Sequence, residues 1–368
     1  MSVIPPKAEL KARLDGFREI LHRRNISAAL ITNEENVRYL SGFTGGDSAL
    51  LVTRNRKFIL TDFRFIEEAQ NTAKGWKIIL EPRGIMEKAA ALARKLRQKR
   101  LAVEPGSMRI VDFKALRKFA RGIRIVPENA MVGELRLFKS PWEVAQIDKA
   151  VRIQEECFKQ LCKSLREGIS EREAAAYLRY LMVKSGADDE AFPVMFQIGS
   201  NSSLPHGRPT QRALKGDAVI LLDWGAKVGG YHSDLTRTFF IGRIPPQLRH
   251  IHGLVLAAQR QAIERIAPGV ELVAVDKAAR DVIAGAGFGK AFGHSTGHGI
   301  GLDIHEQPSL SMRSEGVLMP GMVVTVEPGI YIPGLGGVRI EDDVLVTETG
   351  HRVLSKLSRS LRWNGDNN

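Results

Sequence analysis

Three histidines lie in one glycine-rich segment of the sequence, GHSTGHGIGLDIHEQP at residues 293–308. They are His294, His298 and His305, in a chain that has 9 histidines in all. The first two have the spacing that places both histidines of an HExxH zinc protease on one face of a helix. Here glycines interrupt that spacing, each costing a helix about 1 kcal/mol relative to alanine, and no glutamate follows His294. We therefore predict that this segment is not a helix.

Two β-rich segments, residues 216–242 and 321–347, share one design. Each begins with glycine and a β-branched strand that ends in an acid, and each then turns through a glycine pair, Gly229-Gly230 or Gly336-Gly337. A second strand carries another acid. The four acids are Asp223 and Asp234 in the first segment and Glu327 and Glu341 in the second. This internal duplication predicts a pseudo-twofold domain.

Four carboxylates at the ends of apolar strands need positive partners, because burying an unpaired charge is prohibitive. The neighbouring strands supply few cations, namely Arg237, Arg243 and Arg339. Two divalent metal ions would balance the four carboxylates, and a histidine of the glycine-rich segment would be a fifth ligand. Oxygen ligands with one nitrogen suit Mn²⁺, Co²⁺ or Fe²⁺, with Zn²⁺ as a further candidate, and argue against a structural cysteine-type zinc site.

The size and composition are typical of a globular protein with two domains. The chain has 368 residues, of which 43% are hydrophobic and 26% are charged. It has no apolar run of the roughly 18 residues that a membrane span needs, and its start lacks the apolar stretch of a secretory signal. Cys157 and Cys162 are too few for a disulfide scaffold, so we expect reduced thiols in a cytoplasmic protein without a membrane partner.

The positive charge is concentrated in the N-terminal third of the chain. Residues 1–133 contain 26 Lys and Arg against 14 Asp and Glu, and so carry nearly all of the formal net charge of +13. A basic cluster, ARKLRQKR, occupies residues 93–100. Such a surface could attract nucleic acid or a membrane surface. No recognition motif accompanies the charge, so we favour a solvated basic helix face over either partner.

The pattern of secondary-structure signals changes where the charge changes. Residues 1–133 alternate helix and strand signals, with a hairpin at ALLVT and KFILT, and predict a mixed α/β domain. Residues 134–368 combine the β-rich segments with segregated helical patterns, the second of which begins at a capping box, Ser170 to Glu173, so they predict an α+β domain. The four helical patterns lie near residues 142–166, 171–185, 247–266 and 273–286.

Five motifs, in order and spacing, resemble a known family. They are LPHGRPT, LLDWGAKVGGYHSDLTRTF, GHSTGHGIGLDIHEQP, VEPGIY and GVRIED. Together they resemble the pita-bread metallopeptidases of the Xaa-Pro aminopeptidase and prolidase group over residues 140–361. The N-terminal domain resembles, more weakly, the creatinase-type domain that precedes the catalytic domain in that group. The resemblance implies an α+β protein in which a pseudo-twofold pita-bread domain follows a smaller α/β domain.

The resemblance also implies a role for each matching residue. Two divalent ions, Mn²⁺ in preference to Co²⁺, Fe²⁺ or Zn²⁺, would be bound by Asp223, Asp234, His298, Glu327 and Glu341. Asp234 and Glu341 would bridge the ions, and Glu327 would also accept the proton of the attacking water. The other catalytic residues implied are His206, His294 and His305, which hold substrate, and Arg339, which holds a ligand carboxylate. His232 and Asp303 lie beside motif positions, and we assign them structural roles.

The function implied is hydrolysis of the peptide bond before proline. We expect an aminopeptidase of the P type that acts on proline-containing peptides, as a homodimer. The alternative is a prolidase restricted to Xaa-Pro dipeptides. A non-catalytic binding protein that uses its basic N-terminal domain is a third interpretation, which the complete ligand set disfavours. The same ligand set disfavours creatinase, and the additional N-terminal domain disfavours methionine aminopeptidase.

Overall fold

The computed structural model describes residues 4–81 and 84–362. They form two compact units, one of residues Ile4–Arg136 and one that begins at Leu137. Among the described residues, no helix combines the length and the apolar character that crossing a bilayer requires.

The N-terminal unit is built on one mixed sheet with helices packed against it. The strands are β1 (Ala28–Ile31), β2 (Ala49–Thr53), β3 (Lys57–Thr61), β4 (Lys77–Leu80), β5 (Arg100–Val103) and β6 (Arg124–Pro127). The helices are α1 (Lys7–Arg23), α2 (Glu34–Ser41), α3 (Ile66–Thr72), α4 (Ile85–Lys95), α5 (Ile110–Phe119) and α6 (Gly133–Arg136). The strand order is β4-β3-β2-β1-β5-β6. Strands β2 and β3 form the predicted antiparallel hairpin, with Ala49 opposite Leu60.

The first half of the C-terminal unit consists of two helices and two three-stranded sheets. The helices are α7 (Pro141–Ser164) and α8 (Glu171–Lys184), and both begin at capping boxes, of which only the one at Ser170 was predicted. The strands are β7 (Asp189–Glu190), β8 (Met195–Ile198), β9 (Ala218–Trp224), β10 (Ala226–Val228), β11 (Tyr231–His232) and β12 (Leu235–Ile241). They pair in the orders β12-β9-β8 and β11-β10-β7. Apolar side chains of the two helices and of β9 and β12 share one hydrophobic core.

The second half repeats this arrangement. Its helices are α9 (Pro246–Glu264) and α10 (Leu272–Gly285). Its strands are β13 (Gly297–Gly299), β14 (Glu306–Leu310), β15 (Val323–Val326), β16 (Gly329–Ile332), β17 (Gly336–Arg339), β18 (Asp342–Val346) and β19 (His351–Val353). They pair in the orders β14-β13-β15-β18-β19 and β16-β17, and they share a core with α9 and α10. The antiparallel pairs β9–β12 and β15–β18 are the two predicted hairpins, each enclosing a smaller hairpin, which confirms the internal duplication.

One detail of the predicted duplication is wrong. Gly229 and Gly230 do form a turn, between β10 and β11, and both have positive φ, at 58° and 82°. Gly336 and Gly337, however, lie within β17 rather than in a turn. The turn that precedes β17 contains Gly334, with φ of 80°, as the residue in the left-handed region. Gly337 is instead required for close packing, since a Cβ there would lie 2.2 Å from the carbonyl oxygen of Ser202.

Candidate metal centre

Three side chains of the C-terminal unit present donor atoms to one point. They are Asp234, His298 and Glu341, whose ligand atoms lie within 4.8 Å of one another. Asp234 immediately precedes β12 and Glu341 immediately precedes β18, so the two acids occupy equivalent positions in the two halves. His298 lies in β13, which pairs with β15 and so lies in the same sheet as β18. The pseudo-twofold arrangement of the strands therefore brings the two acids together.

The remaining two predicted ligands border the same point. Asp223 lies in β9 directly opposite Thr236 of β12, and Glu327 immediately follows β15. The Nε2 atom of His298 lies 3.5 Å from Oε1 of Glu327 and 3.6 Å from Oδ2 of Asp234. All five predicted ligands line one cavity of about 640 Å³. The non-helical segment predicted around His298 is also observed, as the short strand β13 and the loop that follows it.

Glycines allow the histidine strand to approach its neighbours closely. A Cβ at Gly297 would lie 1.9 Å from the carbonyl oxygen of Thr325 in β15, well inside any real contact distance. A Cβ at Gly299 would lie 2.2 Å from the carbonyl oxygen of Gln307 in the facing strand. The glycines of this segment are needed because they lack a side chain, and this is how the backbone can place His298 beside the carboxylates.

The carboxylates of the cavity are held in an environment that disfavours their charge. Burial raises the pKa of Asp234 well above its ordinary value, and the neighbouring carboxylates of Glu341 and Asp223 raise it further. Burial and then the Glu327 carboxylate do the same to the pKa of Glu341. Burial also raises the pKa of Glu327 to about 8. The cavity thus concentrates acidic groups that need additional positive charge to ionise together.

The donor atoms fit divalent metal ions. Burial lowers the pKa of His298 to about 4, which leaves the imidazole neutral and able to donate a lone pair at physiological pH. The Oδ1 atom of Asp223 is buried and accepts no hydrogen bond from the described residues. A buried carboxylate oxygen without a partner is costly in protein and suits coordination of a cation. Four carboxylates with one neutral imidazole match ions that prefer oxygen and tolerate nitrogen.

Arg339 is the central cation of the network around the donors. It is buried, and its Nη2 atom donates to Oδ2 of Asp223 at 2.5 Å. Its Nη1 and Nε atoms donate to the hydroxyl of Tyr331 at 2.9 Å and to Oγ1 of Thr236 at 3.0 Å. The Thr236 hydroxyl in turn donates to Oε2 of Glu341 at 2.6 Å. Arg339 therefore orients donors from both halves of the pseudo-twofold domain.

The other two arginines noted in the sequence do not balance the donors. Arg237 is buried and bound to Asp342, at 2.7 Å, and Arg243 is exposed on the far end of the hairpin. Asp342 follows Glu341 directly, and its pKa is lowered because Arg237 and Arg359 together outweigh the effect of burial. Of the three arginines noted in the sequence, Arg339 is therefore the one that balances charge in the cavity.

The three predicted non-ligand histidines line the same cavity at different depths. His294 is the most enclosed of them, and its Nε2 atom lies 2.9 Å from the hydroxyl of Tyr331. Burial lowers the pKa of His294 to about 4, and the nearby Arg339 lowers it further. His305 is exposed, with its ring edge-on to that of His298 at a centroid distance of 4.3 Å. His206 is also exposed, at the mouth of the cavity.

Sequence reasoning missed four residues of the site. Tyr331 and Thr236 stand inside the quoted motifs VEPGIY and SDLTRTF, where position within the motif was the available signal. Asp343 accepts a hydrogen bond from the backbone N–H of Asp234 at 3.0 Å, and no motif marks it as a partner of that residue. Arg208 lines the cavity and makes no ion pair with the described residues. The structural role assigned to His232 agrees with its buried ring, whose Nδ1 lies 3.0 Å from the carbonyl oxygen of Gly301.

Comparisons with known proteins identify both units. Residues 145–348 match Metallopeptidase family M24, and residues 13–138 match the Creatinase/Prolidase N-terminal domain. The chain therefore belongs to metallopeptidase family M24, a family of metal-dependent peptidases, and has the pita-bread fold preceded by a creatinase-type domain. This confirms the resemblance carried by the five motifs.

Individual relatives cover nearly the whole chain. An Xaa-Pro dipeptidase of Pyrococcus horikoshii is 34% identical over 352 residues, which are 93% of this chain and 96% of that protein. The structure of an Xaa-Pro dipeptidase from Bacillus anthracis matches with a TM-score of 0.92 and 36% identity, covering 96% of this chain and 99% of that one. An X-Pro aminopeptidase from Thermotoga maritima matches with a TM-score of 0.86 and 33% identity, covering 94% and 99%.

Proposed function

We propose that this protein is a metal-dependent Xaa-Pro dipeptidase, a prolidase that hydrolyses the bond before proline in dipeptides. The observation that carries the hydrolase assignment is the cluster of Asp234, His298 and Glu341 inside the cavity, with Asp223 and Glu327 beside it. The sequence motifs do not separate an aminopeptidase from a dipeptidase, and the aminopeptidase expected above gives way to the alternative because relatives named as dipeptidases support it.

We assign the five donors to two divalent ions, with Mn²⁺ as the first candidate. When bound, such ions supply a water of lowered pKa and polarise the scissile carbonyl. The chain itself keeps the donors in place, through Arg339 on Asp223 and Thr236 on Glu341.

Glu327 is suited to hold the proton that the water releases. Its carboxylate is buried in the cavity and its Oε1 atom lies 3.5 Å from Nε2 of His298, so it stands beside the other donors, within reach of a water held there. The bond before proline leaves a secondary amine, which must be protonated to depart. Glu327 is placed to return the proton to it, so that the carboxylate ends the reaction in its starting state.

His294 is suited to orient Tyr331 at the cavity as a neutral group. Its Nδ1 atom lies 2.8 Å from the carbonyl oxygen of Ser295, a contact that places the ring proton on Nδ1. Its Nε2 then accepts from Tyr331, whose hydroxyl also receives a hydrogen bond from Arg339. His206 and His305, which are more exposed, are assigned to the substrate side of the cavity.

Arg208 supplies a reason for preferring a dipeptide. Of the two arginines that line the cavity, Arg339 is committed to Asp223, while Arg208 forms no ion pair within the described part of the chain. A dipeptide that ends in proline carries a carboxylate next to the scissile bond, and a longer peptide has a neutral amide there. An exposed guanidinium in the cavity can bind that carboxylate through two hydrogen bonds.

The test is to compare an Xaa-Pro dipeptide, an Xaa-Pro-Yaa tripeptide and an Xaa-Pro amide as substrates of Mn²⁺-loaded protein. We expect hydrolysis of the dipeptide and little or none of the tripeptide. Arg208→Gln should raise KM for the dipeptide by about tenfold or more, as loss of a charge-assisted hydrogen bond predicts, with kcat almost unchanged. The exposed Arg249→Gln is the matched control and should leave KM unchanged.

Two outcomes would contradict parts of this proposal. Efficient cleavage of the tripeptide would make the protein an aminopeptidase, the activity first expected from the sequence and the one for which the Thermotoga maritima protein is named. An unchanged KM in Arg208→Gln, with the dipeptide still preferred, would remove Arg208 from the recognition of the substrate carboxylate.

A further inference from the structure

The N-terminal unit contains a second cavity, of about 590 Å³, that has no place in peptide hydrolysis. It lies where the end of α1, the turn between β2 and β3 and the end of α4 meet. Five basic side chains line it: Arg18, Arg54, Arg56, Lys95 and Arg97. The basic cluster at residues 93–100 of the sequence thus contributes to one wall of a concave site.

The positive charge of this cavity is not balanced within the structure. The described residues that line it include no aspartate or glutamate. Arg18 lies 4.0 Å from Asp15, and the four other cations form no ion pair among the described residues. Elsewhere in the same unit arginines are paired, as in Arg24 with Glu128 and Arg64 with Asp62. Like charges held around one concavity create a strong local positive potential.

The helix ends at this cavity do not account for the charge. Basic side chains often compensate the carbonyl groups and the dipole at the C-terminus of a helix. Here the carbonyls of the last turns are capped by backbone groups, since Ile26 N–H donates to the carbonyl of Leu21 and Gln98 N–H to that of Ala93. Each helix dipole corresponds to about half a charge, so two dipoles balance about one of the cations.

Arg97 occupies an unusual backbone position for an arginine. It has φ of 54°, in the left-handed region, directly after the residue that caps α4. Glycine or asparagine is usual at such a position, and Asn25 fills the equivalent one after α1, also with φ of 54°. At this end of α4 the chain therefore carries an arginine where glycine or asparagine would fit the backbone better.

We propose that this cavity binds a small polyphosphorylated anion. Guanidinium groups match phosphate oxygens in shape and charge, and three of the five cations are exposed arginines on two different walls of the cavity. The neutral donors Asn25 and Asn55 lie beside them. No phenylalanine, tyrosine or tryptophan lines the cavity in the described chain, and His22 is its single aromatic ring there, so a small anion fits the cavity better than a run of stacked nucleic-acid bases.

The test is calorimetric titration of the full chain with inorganic triphosphate at low and at physiological ionic strength. The informative variant is Arg54→Gln/Arg97→Gly, which removes two charges and places glycine where the backbone favours it, so that folding is preserved. The matched control is Arg117→Gln/Arg121→Gln, which removes two exposed charges of the same unit from outside the cavity. Neither variant changes the binding of triphosphate to metal ions at the catalytic centre. The comparison therefore reports on this cavity alone.

We expect salt-sensitive binding to the wild type that weakens by about tenfold or more in the cavity variant and by less than about twofold in the control. Equal weakening in both variants would overturn the proposal, because it would reflect the net charge alone. Absence of salt-sensitive binding in the wild type would do the same. So would tighter binding of single-stranded RNA than of triphosphate, lost in the cavity variant, since the ligand would then be nucleic acid.

Discussion

Replacing Glu327 by glutamine should change how the stability of the metal-free protein depends on pH. The pKa of this carboxyl is about 8 in the folded chain, against an ordinary value of 4.5. Between these values the folded protein keeps a proton that the unfolded chain has released. The free energy of unfolding therefore falls as pH rises, by about 1.4 kcal/mol per pH unit for this group alone. Glutamine cannot lose a proton, so the variant should lack this contribution.

The measurement is chemical denaturation of chelator-treated wild type and Glu327→Gln between pH 6.5 and about 7.5. Buried histidines act in the opposite direction. Burial lowers the pKa of His294 and His298 from 6.5 to about 4, so these residues destabilise the folded protein as the pH falls below 6.5. Both proteins contain these histidines, so their contribution cancels when the two curves are compared. Over this interval the wild type should lose about 1.4 kcal/mol more than the variant.

The matched control is Glu315→Gln, which removes an exposed carboxylate of the same unit and should give a curve parallel to that of the wild type. Parallel curves for the wild type and Glu327→Gln would refute the reasoning, because Glu327 would then ionise alike in the folded and unfolded chains. Saturating Mn²⁺ should also flatten the wild-type curve, since bound cations favour the ionised carboxylate.

Three further substitutions test the packing around the centre. Arg339→Gln leaves Asp223 buried without its cation and should cost about 3–5 kcal/mol of unfolding free energy in denaturant titrations, a loss that a change below about 1 kcal/mol would contradict. Gly297→Ala should abolish dipeptide hydrolysis, because the added Cβ would collide with β15. Gly293→Ala is the control and should retain activity, because open space surrounds that position. Equal activities of the two variants would contradict the packing argument. Ser140→Ala removes a capping box and should lower stability by about 1 kcal/mol without changing KM, and unchanged stability would show that the cap is dispensable.

Much of the fold could be predicted because periodic patterns and turn residues act locally. The hairpin of β2 and β3, the helices α7 to α10 and the duplicated strand pairs follow from such signals. The short helix α2 could not be recognised, since its caps, Asn33 at the start and the left-handed Gly42 at the end, enclose only 8 residues and the helix depends on packing into the domain. The turn before β17 was misplaced because either Gly334 or the pair Gly336-Gly337 satisfies the local pattern, and only contact with Ser202 decides between them.

The candidate site likewise combines features that the sequence indicates with features that only the folded chain brings together. The four carboxylates could be proposed from sequence because a hairpin with one acid on each strand occurs twice, and His298 was proposed through the family resemblance. The network around them could not, because Arg339, Thr236 and Glu341 meet only when two hairpins pack together. Likewise, Arg208 reaches the metal cavity only in the folded chain. The basic cavity of the N-terminal unit also forms only when the ends of α1 and α4 and the turn between β2 and β3 come together. Their charges are visible in the sequence, but the absence of partners among the described residues is not.

The most direct measurement is a titration of chelator-treated protein with Mn²⁺ in which bound metal and Xaa-Pro dipeptide hydrolysis are followed together. We predict that hydrolysis is lost on chelation and returns fully when two ions are bound per chain. Asp234→Asn, which removes a shared donor of the cluster, should bind metal poorly and stay inactive. Hydrolysis by the metal-free protein, or full activity of Asp234→Asn, would contradict the assignment of this cavity as a two-metal peptidase centre.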